Sequence, residues 1–158
     1  MKRLLLILLA MLTVLSAIAC TSTTYRTDVA AAALADTAVS ALNDGKDYTA
    51  ADTDFLDSYF SLPTYVTDSV IRFSTDGNDL NEFGIYQVTD GNADSMKALL
   101  SGYLTEFYEL YNANYLPEET PKLRDAEVRV FGNYVAYAML NETDRATFFN
   151  TIENALKQ

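Results

Sequence analysis

Leu4 to Ala19 is apolar almost without a break, and the chain sustains no other run like it. After that run the apolar positions become periodic. VAAAALADTAVSAL, from Val29 to Leu42, reads as a helix with Asp28 as N-cap and Asp44-Gly45 as its stop. Its alanines serve both helix propensity and close packing. Phe55, Leu56, Tyr59 and Phe60 recur at i, i+1, i+4 and i+5, which makes one face of a short helix ended by Pro63. In DSVIRFS the side chains alternate, with Ile71 and Phe73 opposed to Val70 and Arg72, as in a strand. FGIYQV, Phe83 to Val88, is a second strand after the turn-rich connector TDGNDLNE.

The strongest helical signature runs from about Asn92 to Asn112, where Met96, Leu99, Leu100, Tyr103, Phe107 and Leu110 fall on one stripe. Pro117 and Pro121 forbid its continuation. AEVRVF then alternates, placing Ala126, Val128 and Val130 on one face. Gly132-Asn133 is a two-residue hairpin turn into YVAYAML. A last helix is predicted from Thr143, as N-cap, to Leu156. Strand, strand, helix thus occurs twice in succession, and Met96, Leu100 and Leu104 align with Phe148, Ile152 and Leu156. Shared amphipathic periodicity and true duplication both produce such a match. The expected fold is α+β: an antiparallel sheet of about four strands with helices packed on one face, built from possible repeated strand-strand-helix units.

The apolar run has an address written on it. Lys2 and Arg3 give a positive start, LLLILLAMLTVL an apolar core, and SAIA a small-residue end. Together these describe a secretory signal. The run is also short of the roughly 20 residues that a membrane-spanning helix needs. Ala17-Ile18-Ala19-Cys20 resembles the lipobox of bacterial lipoproteins, with Ala17 where leucine is preferred. That resemblance implies cleavage before Cys20 and lipidation of its thiol, and two or more acyl chains anchor stably where one is marginal. The chain divides into a lipoprotein signal peptide (1–19), a lipidated Cys20 with a polar tether (20–27), and one α+β domain (28–158). The expected location is the extracytoplasmic face of the cell membrane.

Charge and residue inventory narrow the chemistry. The chain carries 11 basic and 22 acidic residues. Loss of Lys2 and Arg3 with the signal leaves 9 basic against the same 22, a net charge of −13. Nucleic acid, which demands a basic footprint, is not an expected partner. Cys20 is the sole cysteine, so no disulfide supports the domain and it must stand on its hydrophobic core. There is no histidine. That removes imidazole-based nucleophilic triads and the ordinary zinc sites. The six glycines are too scattered for a phosphate loop. Asp76, Asn78, Asp79 and Glu82 superficially resemble a calcium loop, but their spacing is not that of an EF-hand. No metal or cofactor is expected. Paired carboxylates remain the one catalytic option.

Tyrosine is the unusual enrichment: 11 Tyr and 8 Phe, with no Trp. Tyr103 and Phe107 read as core. Tyr108, Tyr111, Tyr115 and Tyr134 form the candidate interaction surface, since tyrosine offers an apolar body and a hydroxyl that tolerates water. Tyr134 and Tyr137 fall on opposite faces of their strand.

Glu82-Phe83-Gly84-Ile85 at a strand start, Tyr115 to Pro117, Leu123 before a strand, and Gly132-Asn133-Tyr134-Val135 occur in a telling order. In that order they resemble an uncharacterised family of small Gram-positive lipoproteins, a domain of unknown function common in clostridia and their relatives. The resemblance implies an address and a one-domain layout, and it brings no activity, cofactor or catalytic residue. The expected function is a membrane-anchored, non-catalytic binding or interaction module. Its expected partners are the membrane, through the lipid, and an envelope protein or glycan; oligomeric state is left open. The alternatives are a carboxylate-dependent envelope hydrolase and an inhibitor of an envelope enzyme.

The lipobox reading has a direct check. Cys20→Ser is expected to abolish incorporation of a labelled fatty acid into the protein, and labelling that persists in the variant would overturn it.

Overall fold

The computed structural model describes residues 23–42, 44–51, 61–111 and 114–158. Cys20, the signal segment and the short helix expected around Phe55 to Phe60 lie outside the described residues. The elements are α1 (Ala31–Leu42), β1 (Tyr48–Ala50), β2 (Val66–Ser74), β3 (Glu82–Val88), α2 (Ala93–Leu110), α3 (Thr120–Arg124), β4 (Glu127–Phe131), β5 (Tyr134–Met139) and α4 (Glu142–Leu156). The five strands form one antiparallel sheet in the order β1-β2-β3-β5-β4. The α+β class is therefore as expected, with β1 added to the four anticipated strands. Among the described residues no helix is long and apolar enough to cross a membrane.

The helices do not share one face of the sheet. On one side Phe83, Ile85, Tyr134, Ala136 and Ala138 pack against α1 and α4. On the other, Tyr86, Val88, Val135, Tyr137 and Met139 pack against Met96, Leu100 and Leu104 of α2. All six residues of β5 are buried. A strand covered on both sides has no polar face, which is why YVAYAM is apolar throughout instead of alternating. The small residues Ala31, Ala35 and Ala38 lie in the same core as Phe148, Phe149 and Ile152 of α4, where they let the two helices approach closely.

Opposite faces also settle the repeat in space. β3 and β5 are antiparallel neighbours. A rotation that exchanged the two hairpins would have its axis perpendicular to the sheet and would leave both helices on one side. Because α2 and α4 lie on different sides, no rotation relates the two units in this structure. The matching spacing reflects the same helical period used twice.

Several termini differ from expectation because their partners are distant in sequence. α1 is capped by Asp68 of β2, whose Oδ2 accepts from the Ala31 N–H at 2.7 Å. Asp28, the expected cap, is instead held by Arg26. α4 is capped by Asn141, which accepts from the Asp144 N–H at 2.9 Å, and not by Thr143. The segment expected as tether is partly docked. Tyr25 bridges to Lys157, the Arg26 N–H donates to Leu156 O, and the Tyr25 ring lies edge-on to Phe131. Gly132, at φ +60° in the β4–β5 turn, leaves room for Tyr25; a Cβ there would meet the Tyr25 Cβ at 3.1 Å.

Gly84 has a stronger steric reason. It pairs with Tyr137, and a Cβ built on it would lie 2.4 Å from Tyr137 Cε1. The missing side chain is what allows the Tyr137 ring to lie across β3. Gly84→Ala should therefore cost about 2 kcal/mol, the usual range for overpacking a closed core. A lowered urea midpoint would show it, and a variant as stable as the parent would refute the packing account.

Candidate functional site

The sheet has two distinct ends. At one, the β4–β5 turn meets the start of α2: the Val88 N–H donates to Asn133 O, and Tyr25 sits beside Gly132. At the other, the Asp79–Glu82 segment enters β3 and α2 finishes, with Tyr103 and Phe107 brought over Glu82. The buried polar chemistry gathers at this second end.

Glu82 is 8% exposed. Its Oε1 accepts two hydroxyls, from Tyr137 at 2.6 Å and Tyr103 at 2.9 Å. Gly84 explains the first, since the Tyr137 ring crosses the glycine to reach the carboxyl two residues along. Burial pushes the Glu82 carboxyl above the ordinary glutamate range, and the two hydroxyls only partly oppose this. Burial and the Glu82 charge likewise raise the Tyr137 hydroxyl.

Asp79, three residues earlier, shows the opposite outcome. Burial pushes its carboxyl up, but hydrogen bonds from Lys122, Lys46 and the Asn81 N–H outweigh that and hold it well below the ordinary carboxylate range. Lys122 Nζ lies 2.7 Å from Asp79 Oδ1 and 2.5 Å from Glu119 Oε2, and Lys46 reaches the other Asp79 oxygen. Glu119 Oε2 also accepts the Leu80 N–H at 2.9 Å. This quartet of two cations and two anions ties β1's approach, the β2–β3 connector and α3 together.

Between the two acids lies Asn81, fully buried. Its Nδ2 donates to the Tyr48 hydroxyl at 2.9 Å, and that hydroxyl donates to Asp44 Oδ2 at 2.7 Å. Asn81 Oδ1 is buried without a hydrogen-bond partner among the described residues. A cleft of about 140 Å³, lined by Phe73, Asp79, Leu80, Asn81, Glu82 and Phe107, opens beside it. A second, larger groove of about 250 Å³ runs between α2 and the α3–β4 segment, against Leu104, Tyr108, Leu123, Ala126 and Val128. Among the described residues no three acids or cysteines are grouped to hold a metal.

The four candidate tyrosines separate. Tyr108 is 44% and Tyr115 69% exposed, and both lie toward the Glu82 end, with Leu110, 77% exposed, between them in sequence. Tyr111 is half-buried against the α2 core, and its hydroxyl donates to Leu116 O at 3.0 Å, so it holds the α2–α3 connection. Tyr134 does not belong to an exposed surface: it is 0% exposed, and its hydroxyl donates to Val29 O and accepts from Val29 N–H. The hydroxyl that suggested a wet face is satisfied by backbone instead. Tyr134 and Tyr137 do lie on opposite faces. Sequence reasoning passed over Glu82, Asn81 and Tyr48 as site residues. The available signal was an acid at the mouth of an apolar strand, NEFGIYQV.

A family model for a domain of unknown function, DUF4358, matches residues 41–140, and the chain belongs to that family. The matched stretch runs from the end of α1 through β5. It contains the whole sheet, α2, α3 and all the polar residues of the Glu82 end, while α4 and most of α1 lie outside it. No curated protein and no solved structure matches the chain significantly.

Opposed shifts give a pH signature. Glu82 has a raised folded pKa, so between the ordinary glutamate value and that folded value the native state holds a proton that the unfolded state has lost. Its contribution to stability is complete below the window and declines as pH rises through it. Asp79 is ionised in both states throughout that window and adds no slope there. Glu82→Gln keeps an acceptor for both tyrosines and should remove this decline. Urea midpoints of parent and variant between pH 4.5 and 8 are expected to diverge in the variant's favour as pH rises; parallel profiles would contradict the buried-carboxyl assignment.

Proposed function

We propose that this DUF4358 member is a lipid-anchored extracytoplasmic interaction module that presents the Glu82 end of its domain to a partner. One observation carries the reading: the two ends of the sheet differ. The docked N-terminal residues, Thr24 to Thr27, run beside Gly132 and Gln87. The exposed apolar residues Tyr108, Leu110 and Tyr115 and both clefts lie toward the opposite end. A tether leaving through Cys20 starts from the first end and holds the second away from the membrane. The sequence supports the tether through the lipobox-like Ala17-Ile18-Ala19-Cys20, and it supports a Gram-positive envelope setting through the family resemblance.

The hydrolase alternative has one supporting feature, since Asp79 and Glu82 line one cleft with their carboxyls pushed in opposite directions. Against it, both Asp79 oxygens are engaged by ammonium groups and by the Asn81 N–H. A carboxylate so engaged is poorly placed to activate water. The inhibitor alternative called for an open concave sheet face lined by tyrosine, whereas β3 and β5 are covered on both sides.

A photo-crosslinking residue at Tyr115 in the membrane-bound protein is expected to capture one defined envelope component. The same residue at Asp90, near the Gly132 end, should not. Equal capture at both positions, or none at Tyr115, would reject a partner surface at the Glu82 end.

A further inference from the structure

Two edges bound the sheet, and they are finished differently. β1 is three residues long and mostly exposed, while the β4 edge runs five residues, Glu127 to Phe131, in unbroken register with β5 and without proline. Such an edge offers N–H and C=O groups to another strand unless something blunts or covers it. Among the described residues no strand lies beyond β4. The two-residue turn makes Phe131 and Tyr134 a hydrogen-bonded pair, so Glu127, Arg129 and Phe131 direct their backbone groups at β5. Val128 and Val130 therefore aim theirs outward. Their side chains lie on the α2 side, half-buried, and Val128 borders the groove of about 250 Å³ formed with Ser101, Leu104, Thr105 and Tyr108. Glu127 and Arg129 lie on the opposite side, where they pair with each other at 2.7 Å and Arg129 covers the Phe149 ring.

We propose that a second copy of this chain occupies the β4 edge, its own β4 running antiparallel to the first about a two-fold axis at Val128. In that register the strand is complementary to itself, as an isologous contact requires. Val128 faces Val128 of the second copy, Glu127 stands opposite Arg129, and Arg129 opposite Glu127, at the roughly 4.5–5.5 Å Cβ spacing of cross-strand pairs. An axis at Arg129 would set arginine against arginine, and one at Glu127 glutamate against glutamate; like charges directly opposite are destabilising. An axis at Val130 would set Arg129 against Phe131 and lose both pairs. On the α2 side, Val128 meets Val128 where the groove offers the apolar walls of Leu104 and Leu123. An extended segment of another protein would satisfy the backbone equally, but the alternation of acid, valine and base that answers β4 is carried by β4 itself. The axis stands perpendicular to the sheet, so both N-terminal segments, which pack on the α1–α4 side through Tyr25, leave on one face of the pair. The pairing depends neither on anchorage nor on a partner at the Glu82 end.

Val128→Cys in the full-length chain, oxidised in its membranes, is the first test, with the parent chain and its sole Cys20 as control. Hydrogen-bonded residues of an antiparallel pair lie about 5.5 Å apart at Cα, within disulfide reach, so a covalent dimer beyond that of the parent is expected. Val130→Cys should give none, because the two sites would lie four residues, about 13 Å, apart along the joint. Charge reversal tests the register separately, by analytical ultracentrifugation of the detergent-solubilised protein. Arg129→Glu and Glu127→Arg should each weaken self-association about tenfold or more. An equimolar mixture of the two should restore it, since each supplies the charge that the other lacks; instability within one chain is not repaired by mixing. Should either reversal variant fold poorly, the disulfide comparison decides alone. A monomeric parent at every concentration, equal bridging at Val128→Cys and Val130→Cys, bridging of Val128→Cys to a chain of another mass, or no rescue on mixing the folded variants would each overturn the pairing.

Discussion

Between β3 and β5 the chain has almost no side open to water. Every residue of β5 is buried, and on β3 every residue but Gln87 is buried as well. A strand pair covered on both sides is stable only if two separate apolar layers are supplied, and much of the remaining fold follows from that need. α1 and α4 supply one layer with alanine against phenylalanine, and α2 supplies the other with Met96, Leu100 and Leu104. Burying a large apolar side chain contributes about 1.5–3 kcal/mol, so the central pair concentrates much of the driving force in two short strands. It also leaves no tolerance for bulk, as the contact between Gly84 and Tyr137 shows.

The same enclosure creates the polar problem at one end. β3 begins with a carboxylate that has been drawn almost entirely out of solvent, and an isolated buried charge is costly. The structure answers with the Tyr137 and Tyr103 hydroxyls, and Tyr137 reaches Glu82 only because position 84 carries no side chain. Three residues earlier the chain handles Asp79 differently, by ion pairing with Lys122 and Lys46. Removing one member of such a buried group costs far more than the intact group contributes, because the others are left uncompensated. The quartet therefore fixes the connector's conformation more than it adds to stability, and it sets where Asn81 and Glu82 face.

The sequence carried the parts of this fold that depend on local rhythm. Met96, Leu100 and Leu104 kept a helical period, Ala126, Val128 and Val130 alternated onto one face, and Gly132-Asn133 marked a hairpin that the structure contains. Where partners lie far apart in the chain, sequence was silent. Asp68 caps α1 from 37 residues away, and Tyr134 spends its hydroxyl on Val29 across 105. β1 has only three residues, and α3 is one turn held by Glu119 and Lys122, so neither builds a readable period. The unbroken apolar YVAYAM was the readable sign of a strand buried on both faces, and it argues against a single helical layer. Glu82 was hidden by its chemistry: acids are so seldom buried that spacing alone gives no reason to place one in a core.

The two ends of the molecule differ in construction. At the Gly132 end the N-terminal strand segment and the C-terminal residues close on each other through Tyr25, Arg26, Leu156 and Lys157, and backbone groups find backbone partners. At the Glu82 end, β2 has run nine residues, about 30 Å at ~3.3 Å per residue. There the structure accepts an orphan amide oxygen, a nearly buried glutamate and the exposed side chains Leu110 and Tyr115. Stability alone would remove all three features, since apolar or surface polar residues at those positions would cost less. A domain that is economical at one end and costly at the other has its unexplained expense where a ligand or partner could offset it. That asymmetry, more than any single residue, is the reason for placing function at the Glu82 end.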